Sequence, residues 1–242
     1  CYILVNGMLC YLIGFVVNFC VPKAIDSGTS INLSLSIAIN ISLLLLFGLQ
    51  HSIMARKSFK KRIEKWIPPA LERSFFVLIT VLVLVLLAWQ WQPLPELVWS
   101  VQNLWLRIVV YLLFVVGWTT MLIATYLIDH YELFGVRQVL LHLQGYSLLP
   151  QIFKTPLLYQ HVRHPMMLGF LIGFWATPDM SLGHLIFSLG MTLYILVGIF
   201  YEEKDLLQQF GREYIRYQCM VPRLIPSLKS FSQKKQLLEQ NN

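Results

Sequence analysis

Charge is scarce in this sequence. Asp, Glu, Lys and Arg make up 13% of the 242 residues, while apolar residues make up 57%. A soluble domain carries about 25% charged residues, so this chain has too few to cover a water-facing surface, and lipid is its expected solvent. Cysteine is scarce too. Cys1, Cys10, Cys20 and Cys219 have neither metal-ligand spacing nor a paired framework, which excludes a zinc site and a disulfide scaffold. They are expected to be small apolar packing residues. The 13 glycines and 11 prolines are scattered, which excludes collagen-like and linker segments. There is no internal repeat. Nor is there a nucleic-acid-binding module to use the net charge of +7, so nucleic acid is excluded as a partner. The apolar runs hold no ionisable residue at their centres and no histidine pair at i, i+4, which argues against a transporter and a haem protein.

What is present is a series of apolar runs. A helix needs about 20 apolar residues to cross the hydrocarbon core. Four segments meet that length, at about 3–21, 32–50, 74–91 and 104–128. The first is too long for a typical signal-peptide core. A fifth apolar region, 166–200, is broken by Thr177-Pro178-Asp179 and reads as a helical hairpin. Its first arm, Met166–Ala176, is too short to span alone, whereas Ser181–Phe200 is long enough. The expected fold is an all-α integral membrane protein with about five transmembrane helices and a short half-helix. It forms one domain over 1–230, with N-terminal helices in 1–128, a site-bearing part in 129–225 and a polar tail at 231–242. The sequence opens on Cys1 rather than methionine, which leaves its native start open.

Charge gives the expected orientation. Arg56, Lys57, Lys60, Lys61, Arg62, Lys65 and Arg73 lie between the second and third runs, whereas the loop 92–103 has no Lys or Arg and the loop 22–31 has only Lys23. Basic loops stay in the cytoplasm. The segments 51–73, 129–165 and 201–242 are therefore expected to face inward, with the net charge also drawing anionic headgroups. Most His, Glu and Tyr residues suited to chemistry gather on those same segments.

Two strings stand out in the C-terminal half. The first is Tyr159-Gln160-His161-Val162-Arg163-His164-Pro165-Met166-Met167-Leu168-Gly169. Pro165 suits the first turn of a helix, which puts Arg163 and His164 at its mouth, where an anion such as a carboxylate is favoured. Gly169, one turn in, admits a ligand or another helix. Alone, this string equally suits an interfacial anchor whose polar groups snorkel to headgroups. The second string runs from Tyr201-Glu202-Glu203 to Phe210-Gly211-Arg212-Glu213-Tyr214-Ile215-Arg216-Tyr217. Positions 203, 206, 210, 214 and 217 fall at three- or four-residue steps, so they are expected to share one helical face. A hairpin would return Glu202 and Glu203 to Arg163 and His164. S-adenosylmethionine suits such a site. Its carboxylate matches Arg163 or the helix mouth, its ammonium, ribose and sulfonium match carboxylates or tyrosines, and its adenine matches a slot of Tyr159, Phe210 and Tyr214.

Arg163-His164-Pro165-x-x-x-Gly169, followed by Glu202-Glu203-x-x-Leu206-x-x-x-Phe210-Gly211-x-x-Tyr214-x-x-Tyr217, resembles the membrane methyltransferases typified by isoprenylcysteine carboxyl methyltransferase and phospholipid methyltransferases. The resemblance implies a multi-helix membrane fold and a cytoplasmic S-adenosylmethionine pocket. The cofactor-binding residues it implies are Tyr159, His161, Arg163, His164, Pro165, Met167, Gly169, Glu202, Glu203, Tyr214 and Tyr217. Met167 departs from the family, which often has tyrosine there, and leaves that wall of the pocket open.

Three further strings extend the likeness. They are Gln50-His51-Ser52-x-Met54-Ala55-Arg56, Glu72-Arg73-Ser74 with Trp89-x-Trp91-x-Pro93, and Asp129-His130-Tyr131-Glu132-Leu133-Phe134-Gly135-Val136-Arg137-Gln138. Together they are similar to the nurim-related branch and most closely to bacterial methanethiol S-methyltransferases, over about 45–225. That implies methylation of a small apolar thiol, methanethiol giving dimethyl sulfide, in a bacterial inner membrane. The thiolate is the reactive form, so His51 is a candidate base, Arg137 or Arg56 could lower the thiol pKa, and Glu203 completes the candidate catalytic set. Structural roles are also open. His51 suits an interfacial histidine bonded to a neighbouring helix, Arg137 a headgroup contact or a pair with Glu132, Trp89 and Trp91 an outer aromatic belt, and Glu72-Arg73 a local salt bridge. Two other functions remain open, namely methylation of a lipid or prenylcysteine carboxylate, and a non-catalytic nurim-like structural role. Oligomeric state is not legible in the sequence.

Overall fold

The computed structural model describes residues 1–29, 31–146 and 152–226. The polar tail expected at 231–242 lies outside the described residues. Among the described residues, the regular elements are helices, apart from one pair of short strands. Its helices are α1 (Tyr2–Val17), α2 (Leu33–Ala55), α3 (Lys57–Ile63), α4 (Pro69–Gln90), α5 (Leu104–Ile128), α6 (His130–Leu133), α7 (Val136–Leu143), α8 (Pro165–Trp175), α9 (Leu182–Phe210) and α10 (Arg212–Met220). The strands are β1 (Leu97–Ser100) and β2 (Asp179–Ser181), paired antiparallel. Among the described residues, α2, α4, α5 and α9 are long and apolar enough to cross a membrane, and α1 and α8 are shorter apolar helices. The protein is an all-α integral membrane protein. The outward residues of its long helices are large and apolar, such as Leu45, Leu82, Leu112 and Leu193, as a lipid-facing surface requires.

The helix ends explain how the observed bounds differ from the expected ones. The run at 3–21 stops being helical at Val17, because Asn18 adopts the left-handed conformation (φ 57°) and the chain folds back, Phe19 N–H donating to the Gly14 carbonyl at 2.9 Å. Asn32 and Asn103 cap α2 and α5 with side-chain oxygens. Buried Asn40 of α2 both donates to the Gln92 carbonyl and accepts from the Gln92 N–H, each at 2.8 Å, which pins the end of α4.

The hairpin is present. α8 is only 11 residues long, about 16 Å at 1.5 Å per residue. One of its last carbonyls, that of Phe174, is satisfied from α9, where Ser188 Oγ donates to it at 2.8 Å and His184 Nε2 lies 2.9 Å from it. α8 packs tightly on α5 through glycines. A Cβ at Gly169 would meet the Met121 nitrogen at 2.5 Å and the Gly117 oxygen at 2.6 Å, and one at Gly173 would meet the Trp118 indole at 2.8 Å. Small residues that let helix backbones touch are how apolar helices associate in lipid. Gly169 therefore admits a helix rather than a ligand.

At the end opposite the basic loops, Arg107 grips Asp179 with two hydrogen bonds of 2.9 and 2.6 Å, and Ser100 Oγ donates to the same carboxylate at 2.6 Å. The Arg107 hydrogen bond, followed by that of Ser100, holds the Asp179 carboxyl below its ordinary range.

Four expectations need correction. Trp91 is not in an interfacial belt: it is fully buried against Phe15 and Phe187, whereas Trp89 is exposed. The four cysteines are exposed and unpaired rather than packed inside. Glu72 and Arg73 do not form a local bridge: Glu72 pairs with Lys60 at 3.2 Å, and Arg73 Nε donates to the Leu133 carbonyl at 2.7 Å. The segment 203–217 is not one helix, because Gly211 (φ 53°) turns the chain between α9 and α10. That sign of φ suits glycine.

Candidate functional site

The two C-terminal strings meet at the basic end. Pro165 opens α8 as its first residue, so the N–H groups of that first turn have no partner within the helix. Just ahead of it, the Arg163 and His164 N–H groups donate to the Pro222 and Arg223 carbonyls at 2.9 and 3.2 Å. The segment after α10 is thereby tied to the mouth of α8.

Glu203 is the hub. Its side chain is 6% exposed and accepts from Arg163 Nε at 2.8 Å and Arg223 Nη2 at 2.7 Å, with His164 Nε2 at 3.2 Å. Arg163 also donates through Nη1 to the Gln218 carbonyl at 3.0 Å and the Val221 carbonyl at 2.5 Å. One buried guanidinium thus joins α8, α9 and the end of α10. A buried carboxylate is tolerated only when paired and hydrogen-bonded, and both oxygens of Glu203 are. Glu202 differs. It is half exposed and lies 3.4 Å from His164 Nδ1. It is the more accessible carboxylate of the pair.

Around this hub lies an aromatic wall. Tyr214 and Tyr217 are buried with Val221, and Phe153, Leu206 and Phe210 pack against them. Tyr217 Oη donates to the Tyr159 carbonyl at 2.5 Å, and Tyr159 Oη to the Ala124 carbonyl at 3.4 Å. Tyr214 Oη is buried without a hydrogen-bond partner among the described residues. Burial, above the neighbouring charges, holds the phenols of Tyr159, Tyr214 and Tyr217 above their ordinary range. All three are protonated donors at neutral pH. A buried tyrosine hydroxyl usually finds a partner, which sets Tyr214 apart from Tyr159 and Tyr217.

The other predicted residues fall as follows. His161 is exposed, its Nδ1 3.1 Å from the Leu157 carbonyl. Met167 is half buried against the main core, and Gly169 is committed to α5. Arg137 does not join the Glu203 hub. It pairs with Asp129 and, at 3.9 Å, with Glu132. Burial opposes ionisation of Asp129, but hydrogen bonds from the Glu132 N–H and Arg137 outweigh it and hold its carboxyl below the ordinary range. Arg56 lies over the Tyr201 ring, 3.6 Å from its centroid.

His51 stands in α2 within a box of rings, its centroid 4.7 Å from Phe76, 5.7 Å from Phe47 and 5.6 Å from Tyr194. Its Nδ1 lies 2.5 Å from Tyr194 Oη, on α9 two turns before Glu202. Tyr194 and Arg223 were not predicted. Arg223 follows Val221-Pro222 in a stretch without periodicity, and nothing local marks it. Tyr194 had a signal, being a hydroxyl-bearing ring inside an apolar span. Among the described residues, no group of three or more His, Cys, Asp or Glu side chains could hold a metal ion.

Comparison with known proteins adds an independent finding. Residues 40–221 match the family described as NnrU protein. Methanethiol S-methyltransferase 2 of Bradyrhizobium diazoefficiens is 48% identical over 220 residues, 90% of this chain and 84% of that protein. Methanethiol S-methyltransferase of Mycobacterium tuberculosis is 44% identical over 216 residues, 89% and 88% of the two chains. Nurim of Sus scrofa is 31% identical over 179 residues, 70% and 68%. No solved structure matches.

Proposed function

Because the chain belongs to the NnrU protein family, we propose that it is an S-adenosylmethionine-dependent S-methyltransferase that converts methanethiol to dimethyl sulfide. The observation that carries this reading is the joining of Arg163, His164 and Glu203 into one buried hub beside an aromatic wall. The names of the relatives supply the acceptor. The bacterial relatives support a bacterial inner membrane, and the seven basic residues of the 56–73 segment support a site facing the cytoplasm.

The residues fit the cofactor. The orphaned Tyr214 hydroxyl is a donor without a partner, the Tyr–Phe wall suits an adenine, and Glu202 is a carboxylate within reach of solvent. In this reading, Glu202 and Tyr214 contact the cofactor's polar groups. The first turn of α8, at Met166 and Met167, receives its carboxylate. Arg163, Glu203 and Arg223 are positioning residues that hold the α8 mouth against α10, and Tyr159 and Tyr217 brace the wall. When bound, S-adenosylmethionine supplies a sulfonium-activated methyl group.

His51 is the proposed base. If its Nδ1–H donates to Tyr194 Oη, Nε2 keeps a free lone pair for the thiol proton, and thiolate is the nucleophilic form. The ring box excludes water, which keeps the thiolate poorly solvated and the approach aligned. Arg137, held by Asp129 and Glu132, fixes the corner between α5 and α7 rather than meeting the acceptor.

The test is methyl-labelled S-adenosylmethionine given to the purified protein with methanethiol, or with extracted membrane lipid. Label in the volatile fraction supports the proposal. Label in the lipid fraction alone moves the acceptor to lipid. No transfer by a folded protein favours a structural role like that open for nurim-related chains.

A further inference from the structure

A cleft of about 480 Å³ opens on the flank of the bundle between α2, α3 and α9. Its mouth carries Ser52, Arg56, Ser58 and Arg62, and its wall rises along Leu49, Ile53 and Val197. Those three wall residues are 59%, 52% and 51% exposed, so the wall continues into the lipid-facing surface. His51 turns elsewhere, into its ring box, so the cleft is separate from the proposed base. No acidic residue lines it. Neither Arg56 nor Arg62 forms an ion pair with a carboxylate among the described residues, whereas nearby Lys60 is paired with Glu72. Arg56 is instead held over the ring of Tyr201, which fixes the guanidinium in the cleft.

We propose that this cleft binds an anionic phospholipid. Two guanidinium groups and two hydroxyls at the headgroup level match a phosphodiester, since Arg donors are suited to phosphate oxygens. The apolar wall directly above matches the first part of an acyl chain. Net positive charge without a lining carboxylate favours a headgroup lacking its own cation, and between 56 and 65 six basic residues face one acidic residue, Glu64. The arrangement has the cationic mouth and apolar wall of a lipid site, which a free anion would not need.

The experiment is native mass spectrometry of the delipidated full chain in detergent, titrated with phosphatidylglycerol and separately with phosphatidylcholine. The wild type is expected to retain phosphatidylglycerol in preference. A basic group beside an anionic headgroup is worth about fivefold in affinity. Arg56→Gln with Arg62→Gln should therefore weaken retention about 25-fold. Lys57→Gln with Lys61→Gln removes the same charge from α3 outside the cleft and should stay within about twofold of wild type. Val197→Trp, which blocks the wall without altering charge, should also lose retention and serves if the arginine pair is unfolded. Equal losses in both charge pairs, no loss in either, or equal retention of phosphatidylcholine by the wild type would overturn the proposal.

Discussion

Arg163 Nε and Glu203 Oε1 lie 2.8 Å apart, on residues 40 positions distant in sequence, with side chains only 9% and 6% exposed. That contact closes the hairpin of α8 and α9 at its basic end. It also determines what a substitution there does. Removing one partner of a buried pair leaves the other charged and unsatisfied, at about 3–5 kcal/mol.

Glu203→Gln is expected to lower the thermal midpoint in detergent and to weaken S-adenosylmethionine binding by calorimetry, because Arg163 and His164 lose their anchor. Arg223→Gln should cost less, since Arg223 is 52% exposed and Arg163 and His164 still hold Glu203 Oε1. Equal losses in the two variants would contradict the hub.

The α5–α8 contact makes a second prediction. Gly169→Ala places a methyl group 2.5 Å from the Met121 backbone nitrogen, and backbone cannot move aside as a side chain can. A loss of about 1–3 kcal/mol or more is expected. Gly198→Ala meets nothing within 4 Å and should be neutral or slightly stabilising through helix propensity. Matching thermal midpoints for the two variants would refute the close packing.

The far-end pair gives a pH dependence. The Asp179 carboxyl is held below its ordinary value by Arg107 and then Ser100. A depressed folded value contributes stability above the unfolded pKa, about 3.9, and that stability is lost as pH falls through the folded value. Both side chains are about one-third exposed, so the contribution stays below about 1 kcal/mol. Asp179→Asn should lower the thermal midpoint by a constant amount above about pH 5, with the gap to wild type narrowing below about pH 4. A gap that widens in acid would reverse the sign.

Much of this was legible in the sequence, for physical reasons. α5 came out at the expected 104–128, because a capped apolar run in lipid has few alternatives. Pro165 fixed the start of α8, and the Thr177-Pro178-Asp179 break forced the hairpin that joins Glu203 to Arg163. Residues whose role depends on distant partners were harder to read. Trp91 reads as a belt residue until Phe15 and Phe187 are seen around it. Arg137 reads as a group near the thiol, a headgroup contact or a partner of Glu132 until Asp129 takes it. Arg223 gains its place only because α10 turns at Gly211. His51 was legible as a chemical group but its partner was not, since Tyr194 lies 143 positions away.

The pairing of His51 with Tyr194 leads to the kinetic prediction. His51→Ala should slow turnover by about 10²–10⁴ and leave S-adenosylmethionine affinity unchanged. Tyr194→Phe should shift the pH–rate profile, because the imidazole loses the group that sets its tautomer. Wild-type turnover in His51→Ala would return that histidine to a packing role.

The most direct measurement is headspace gas chromatography of dimethyl sulfide from the purified, detergent-solubilised protein given methanethiol and S-adenosylmethionine. The account predicts dimethyl sulfide that depends on both substrates and falls sharply in His51→Ala. A folded protein that binds S-adenosylmethionine and forms no dimethyl sulfide would contradict it.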